Sequence, residues 1–350
     1  MKILFDHQIF SSQRFGGISR YHVQLMKYLN ADWELPLFFS NNFYLKELSS
    51  VPSFLPGYDF RGKNRILERI NRFKTVAAIK KGDFDIFHPT FYASYALPYL
   101  QKQPMVLTLH DMTHDRFQEL PAARWEMKEK YMMAHAASAI IVPSRFTADE
   151  LMALYAIPAE KIHVVYHGGP DWNPSVLPAA VDSNRFLFVG GRNYYKNFSV
   201  VLDALQLVPE STLLVAGPPL TPCEKKRVQD LKIADRIEVI HASDEELIQL
   251  YASCSALIFP SLMEGFGLPI LESFAANCPV ICSDIPVFHE IGGNAAIYFA
   301  PDSPEQLADA MRRNIKHRHT ENIAEQLKKF SWKKCAEETY QVYQELLKIQ

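Results

Sequence analysis

Residues 185–191 read RFLFVGG, an uninterrupted apolar run that ends on a glycine pair. A run of that kind, without polar alternation, suits a parallel strand buried on both faces. The paired glycines suit a tight turn into a helix. A helical pattern follows with Val200, Val201, Leu205 and Leu207, and Ser199 stands where it can cap that helix. The amino terminus repeats the plan. KILF at 2–5 is followed by a loop containing Gly16-Gly17, then by a helical pattern with Ile18, Tyr21, Leu25 and Tyr28–Leu29 on one side. Each is strand, glycine turn and helix, the opening unit of a nucleotide-binding α/β domain.

Short apolar runs alternate with helical patterns after each opening. In the first half they fall at 36–39, 84–88, 105–110 and 138–142; in the second, at 212–216, 236–240, 255–260 and 279–282. Alternation of that kind predicts doubly wound parallel sheets. With 350 residues the chain has the length for two of them. The run GGPDWNPSVLPAAVDSN, ending at 184, concentrates Pro, Gly, Asn and Asp and marks the join. The expected organisation is a first domain over 1–172, a linker over 173–184 and a second domain over 185–330. A final helix over 331–350, with Trp332, Ala336, Tyr340 and Tyr343, adds no strand and is expected to pack back toward the first domain.

Composition narrows the function. Thirty-seven Lys and Arg against 39 Asp and Glu leave a net charge of −2, which gives no global basic excess for nucleic acid. The longest stretch free of Asp, Glu, Lys and Arg, 247–263, is broken by Gln249, Tyr251, Ser253, Ser255 and Pro260, and falls short of a membrane span. The first residues, MKILFD, are too short an apolar run for a signal peptide. The five cysteines are an odd number in mostly apolar surroundings, which points to a reducing cytoplasm.

FPSLMEGFGLPILE at 259–272 is the segment richest in chemistry. A strand ends near Pro260, glycines follow, and Pro269 stands where a first helical residue belongs. The amides of Phe266, Gly267 and Leu268 then gather at a helix N-terminus, where N–H groups and the helix dipole favour anions. Glu264 precedes the glycines, and Glu272 is expected in the first turn of the helix. Taken alone, an acid at a helix start and a glycine loop are also ordinary structure.

Glu264, seven intervening residues and Glu272, with GFGLP between them, resemble the paired-glutamate motif of retaining GT-B glycosyltransferases of family 4. The GGISRY loop, TLHD at 108–111, VPSRFTADEL at 142–151, VGGRNYYKNF at 189–198 and the SW pair at 331–332 are similar as well, so the likeness covers nearly the whole chain. It implies two Rossmann-like domains facing across a cleft, and transfer of a hexose from a nucleoside diphosphate donor with retention at the anomeric carbon. The implied acceptor is a glycan or lipid-linked hydroxyl in surface polysaccharide or lipopolysaccharide synthesis, with mannose the favoured sugar and a UDP- or GDP-linked donor. No metal and no cofactor are expected. A departing diphosphate needs a metal or fixed cations and amides; Arg192 and Lys196, after the second glycine pair, suit that clamp. The resemblance also assigns Glu272 to the ribose hydroxyls, Glu264 and His110 to the donor sugar, the amides of 266–268 to sugar and phosphates, and Gly16 and Gly17 to the diphosphate and acceptor.

Other features have plainer readings. Asp83-Phe84-Asp85 spells a metal-binding D-x-D but enters a strand at a turn, where surface acids are common. His110 and His114 have helical metal spacing on a segment that leaves a strand. Cys278 and Cys282 read as core. The segment 61–81 sets eight cations (Arg61, Lys63, Arg65, Arg69, Arg72, Lys74, Lys80, Lys81) against Glu68 alone. Its stripe of Ile66, Ile70, Phe73 and Ala77 beside Arg65, Arg69 and Arg72 suits an interfacial helix on anionic lipid, a solvated face, or a site for an acidic acceptor. Phe38, Phe39, Phe43, Tyr44, Phe54, Tyr58 and Phe60 can shape an acceptor pocket or simply pack. His167-Gly168-Gly169 replaces the short Asn-Gly turn usual in the family, and Leu262-Met263 precedes the first glutamate. Competing activities are an NAD-dependent oxidoreductase, disfavoured because neither turn spells G-x-G-x-x-G, a nucleotide-sugar isomerase on the same scaffold, and an inactive nucleotide-sugar binding protein.

Overall fold

KILF at 2–5 forms strand β1 (Lys2–Phe5), buried from Ile3 onward, in a computed structural model that describes residues 1–48, 62–120, 122–170, 181–314 and 320–348. Parallel strands β2 (Asp32–Glu34) and β3 (Ile86–His88) flank it. A second parallel set has β4 (Val106–Thr108) beside β5 (Ala139–Val142), and β5 beside β6 (Ile162–Val164). A parallel bridge between Phe87 and Met105 ties β3 to the approach of β4. At the carboxyl ends, Asp6 binds β1 to β3: its carboxylate accepts from Thr90 N at 2.9 Å and from Tyr95 Oη at 3.0 Å.

The second half builds one six-stranded parallel sheet in the order β12-β11-β10-β7-β8-β9. Its strands are β7 (Asp182–Val189), β8 (Thr212–Ala216), β9 (Ile237–Ile240), β10 (Cys254–Phe259), β11 (Val280–Ser283) and β12 (Ala296–Phe299). Phe186, Phe188, Leu213, Val215, Ile258 and Ile281 bury against Val201 and Leu205 of helix Phe198–Leu207. A fully buried side chain of this size contributes about 1.5–3 kcal/mol. The chain leaves β7 toward β8 and β9, then crosses to the other side as β10. That reversal makes the carboxyl ends of β7 and β10 the switch point where ligands of α/β sheets bind.

The chain divides into two compact units, Met1–Gly168 with Trp332–Gln350, and Gly169–Ser331. The final helix, Trp332–Lys348, lies in the first unit. Its Trp332 ring packs 6.2 Å from Tyr21, and Tyr343 Oη meets His88 Nδ1 at 2.5 Å.

Several local expectations change. The run at 36–39 is not a strand; β2 lies earlier, because Pro36 has no N–H for a ladder. Most of the expected linker, 173–180, lies outside the described residues. Residues 182–184 belong to β7, which extends beyond its apolar part through the pairing of Asp182 with Cys254. The helix after Gly190-Gly191 is capped at Asn197 (φ +52°), not Ser199, which lies inside it. Strand β12, half-buried at the sheet edge, adds a strand beyond the runs read from the sequence.

Candidate active site

At the end of β7 the backbone turns through Gly190 (φ +107°), whose amide donates to Ala216 O at 2.9 Å. The approach is close enough that a Cβ on Gly217 would stand 2.4 Å from Gly190 O. Arg192 follows, its side chain buried. Its Nε donates to Glu224 Oε1 at 2.8 Å, and its Nη2 donates to Pro219 O at 2.8 Å and Glu224 Oε2 at 3.2 Å. Its Nη1 is also buried and has no hydrogen-bond partner among the described residues. Burial pushes the Glu224 carboxyl up, but Arg192 and the Thr221 cap together hold it below its ordinary value. Lys196 ends a short 3₁₀ turn, Tyr194–Lys196. Its Nζ reaches Glu264 Oε1 at 2.5 Å, above the rings of Tyr195 and Phe259.

The loop after β10 lies alongside: Leu262 N donates to Tyr195 O at 2.7 Å. It runs into helix Leu268–Ala275, capped by Gly267 at φ +110°. A side chain at Gly267 would be strained by that angle and would press on Ile270 and Phe288 at 3.3–3.4 Å. Pro269 is thus the second helical residue rather than the first, and Glu272 lies in the second turn rather than the first. Starting the helix one residue early moves the acid away from the helix end and into the interior, where Tyr251 Oη donates to Glu272 Oε2 at 3.0 Å. The amides of Phe266, Gly267 and Leu268 lead into the helix start, where first-turn N–H groups lack intrahelical acceptors. The Phe266 ring turns inward against Phe330.

The two expected clamp cations therefore divide. Lys196 joins Glu264 of the β10 loop, while Arg192 is held by Glu224 with one nitrogen left over. Glu224 and Tyr251 were not singled out from the sequence. The capping-box spelling TPCE at 221–224 shows why Glu224 starts a helix, but nothing local marks its pairing with Arg192.

In the first unit, Gly16 is extended (φ 164°) and caps helix Gly17–Tyr28, so no residue separates the glycine pair from the helix. His110 leaves β4 with its amide donating to Tyr92 Oη at 3.1 Å. Its ring stands 5.0 Å from Tyr21, 5.9 Å from His22 and 5.6 Å from His167. Burial pushes the imidazole down to about 4, with Asp111 opposing and Lys130 adding to the shift, so it is neutral near pH 7. Nε2 is buried without a hydrogen-bond partner among the described residues. Lys130, fully buried, fixes the backbone behind it: Nζ donates to Asp111 O at 2.9 Å and pairs with Glu126 at 3.0 Å and Asp115 at 3.3 Å. His114 pairs with Glu126 at 3.0 Å rather than sharing a ligand with His110.

Asp83 pairs with Lys2 and Lys81, and Asp85 accepts from Lys2 N at 2.7 Å, so the D-x-D carboxylates serve as strand-end anchors. Cys278 and Cys282 are buried free thiols beside β10 and in β11. Of the aromatic segment, Phe38, Phe39 and Phe43 are exposed and Tyr44 is buried; Phe54, Tyr58 and Phe60 lie outside the described residues.

Residues 15–169 match the family described as Glycosyltransferase Family 4, and residues 173–332 match Glycosyl transferases group 1. The O-antigen chain mannosyltransferase RfbU of Salmonella typhimurium is 31% identical over 63% of this chain and 65% of its own length, so the match falls just under two thirds of that relative. The O-antigen chain mannosyltransferase B of Escherichia coli is 25% identical over 93% of this chain and 95% of its own. Among solved structures, Anabaena Alr3699/HepE in complex with UDP-glucose superposes with a TM-score of 0.71 at 18% identity, covering both chains fully. Two units of parallel sheet, a charged switch point in the second, and family models spanning 15 to 332 agree: the chain belongs to the GT-B glycosyltransferases of the family 4 type.

Proposed function

We propose that this chain is a retaining, metal-independent hexosyltransferase that moves mannose from a nucleoside diphosphate donor to a glycan or lipid-linked hydroxyl. Surface polysaccharide synthesis at the inner face of the cytoplasmic membrane is the setting. The observation that carries the reading is the charged switch point at the ends of β7 and β10: Lys196 pairs with Glu264, Arg192 keeps a spare Nη1, and the β10 loop runs into the helix that carries Glu272. A diphosphate brings two negative charges to fixed donors, and the donors here are one point charge, one guanidinium nitrogen and backbone amides. Arriving phosphates compete with Glu264 for Lys196, which frees that carboxylate for sugar hydroxyls. Glu272, held by Tyr251, serves the ribose.

A hollow of about 380 Å³ at the ends of β8 and β9, lined by Gly217, Pro219, Leu220, Ile240 and His241, lies next to the Pro219 carbonyl that Arg192 grips, and suits the nucleobase. Gly16 and Gly17 serve the diphosphate and acceptor, and His110 the donor sugar, where a neutral imidazole accepts or donates one hydrogen bond without adding charge. The names of the relatives, mannosyltransferases of O-antigen, support the sugar and the setting.

The test supplies UDP- and GDP-linked mannose and glucose with lipid-linked acceptor, with and without EDTA, and reads the anomeric configuration of the product by NMR. The expected result is transfer from one donor, with configuration kept and EDTA without effect. An inverted product, or turnover that stops on chelation, overturns the mechanism. Failure of every donor to react or bind overturns the function.

A further inference from the structure

Helix Lys63–Lys81 turns its apolar stripe away from the unit it packs on. The buried face is Leu67, Asn71, Thr75 and Ile79. Asn71 holds it there: its Oδ1 accepts from Phe38 N at 2.9 Å, and its Nδ2 donates to Phe39 O at 2.7 Å and Ser11 Oγ at 2.9 Å. Thr75 Oγ1 meets His7 Nδ1 at 2.9 Å. At 100° per residue, the stripe Ile66, Ile70, Phe73 and Ala77 is centred roughly 145° from that face. Ile66 is accordingly 49% exposed, Ile70 40% and Phe73 74%. Rolling the helix to bury them would strip Asn71 of its buried bonds and expose Leu67 and Ile79 in exchange. Arg65 and Arg69 line one flank of the stripe and Lys80 extends it; Arg72 lies farther round, over the Tyr95 ring and beside Glu68, the helix's one acid. The adjoining loop exposes Phe38 and Phe39.

We propose that this face docks on an anionic lipid surface. Ile66, Ile70 and Phe73 enter the boundary between headgroups and acyl chains, and Arg65, Arg69 and Lys80 reach the phosphates. The pattern favours lipid over the other occupants. A soluble polyanion would use the cations but not three exposed apolar residues. A second copy would bring the arginine rows together across a twofold axis, where like charges repel. The proposal does not depend on the transferase reading, because lipid binding and nucleotide binding are measured separately.

The experiment is co-sedimentation of the full chain with vesicles of phosphatidylglycerol and phosphatidylcholine, against phosphatidylcholine alone. The chain is expected to bind the anionic vesicles, with each cation contributing about fivefold in partition and added salt weakening it. The Ile66→Ser/Ile70→Ser/Phe73→Ser variant is expected to lose at least about tenfold in partition, with melting and nucleotide binding unchanged. Tryptophan emission of Phe73→Trp should shift to the blue on the same vesicles. No binding to anionic vesicles, equal binding by the serine variant, no emission shift, or a dimer in lipid-free buffer that the serine variant disperses would each overturn the proposal.

Discussion

The two glycine turns open their sheets in the same way and then diverge. At the first, Gly16 is extended and the helix begins with the next residue. At the second, Gly190 is left-handed, and residues 191–197 intervene before the helix at Phe198. Those residues carry Arg192 and Lys196 into the site, whereas the first turn offers backbone alone. The contrast extends to the surroundings. The first unit surrounds His110 with buried, neutral rings; the second sets cations against carboxylates at a partly open strand end. Under the proposed function, the ring-lined half meets the sugar and acceptor, and the charged half holds most of the diphosphate.

Removing Lys196 strikes the charged side of this contrast hardest. Lys196→Ala should lower turnover by about 10²–10³, the usual cost of one fixed donor to a developing anion, and should weaken nucleoside diphosphate binding. Steady-state kinetics with the active donor check it; turnover within a factor of a few of wild type would leave the diphosphate without its expected clamp.

Acid strikes the other half. Burial holds His22 and His167 well below their ordinary value, His88 at about 3 and His110 at about 4. Their folded values lie below the unfolded value of 6.5, so the fold is at full strength above about pH 6.5 and weakens as pH falls toward 4. His88 and His110 each contribute about 2 kcal/mol to that loss by about pH 5, and His22 and His167 act in the same direction. Thermal melts across this range should show the slope, and His110→Gln should remove one site's share. A flat profile would mean that these rings take protons within the fold.

The glycines give the smallest and most local contrast. Gly190→Ala should cost about 1–2 kcal/mol through its left-handed backbone. Gly16→Ala should cost less, because its angle is open to any residue and its Cβ would meet only the movable Gln13 carboxamide. Gly191→Ala, with nothing within 4 Å, should cost least. Denaturant melts rank the three, and a reversed order would mean that the turns are not held as described.

The strands and the glycine turns were legible because a strand buried on both faces writes itself as an unbroken apolar run. β2 and β12 are short or edge strands with mixed burial, and that signal fades in them. The site acids were legible as a pair but not in position. Glu272 moved into the helix interior because Gly267, rather than Pro269, sets where the helix starts. The pairings Arg192–Glu224 and Lys196–Glu264 span 32 and 68 residues, and no local pattern encodes them. The basic helix shows the same limit: its composition reads directly, but which stripe faces out is decided by Asn71 bonding to Ser11 and Phe39.

The most direct test of the central claim, that the second unit holds the nucleotide, is calorimetric titration of UDP, GDP and ADP, without metal, into the wild type and Glu272→Ala. The account predicts that one base binds the wild type and that the variant loses about 1–3 kcal/mol of that affinity, the cost of a lost charged hydrogen-bond partner, while keeping its melting behaviour. No binding by any of the three, or equal affinity in the variant, would contradict it.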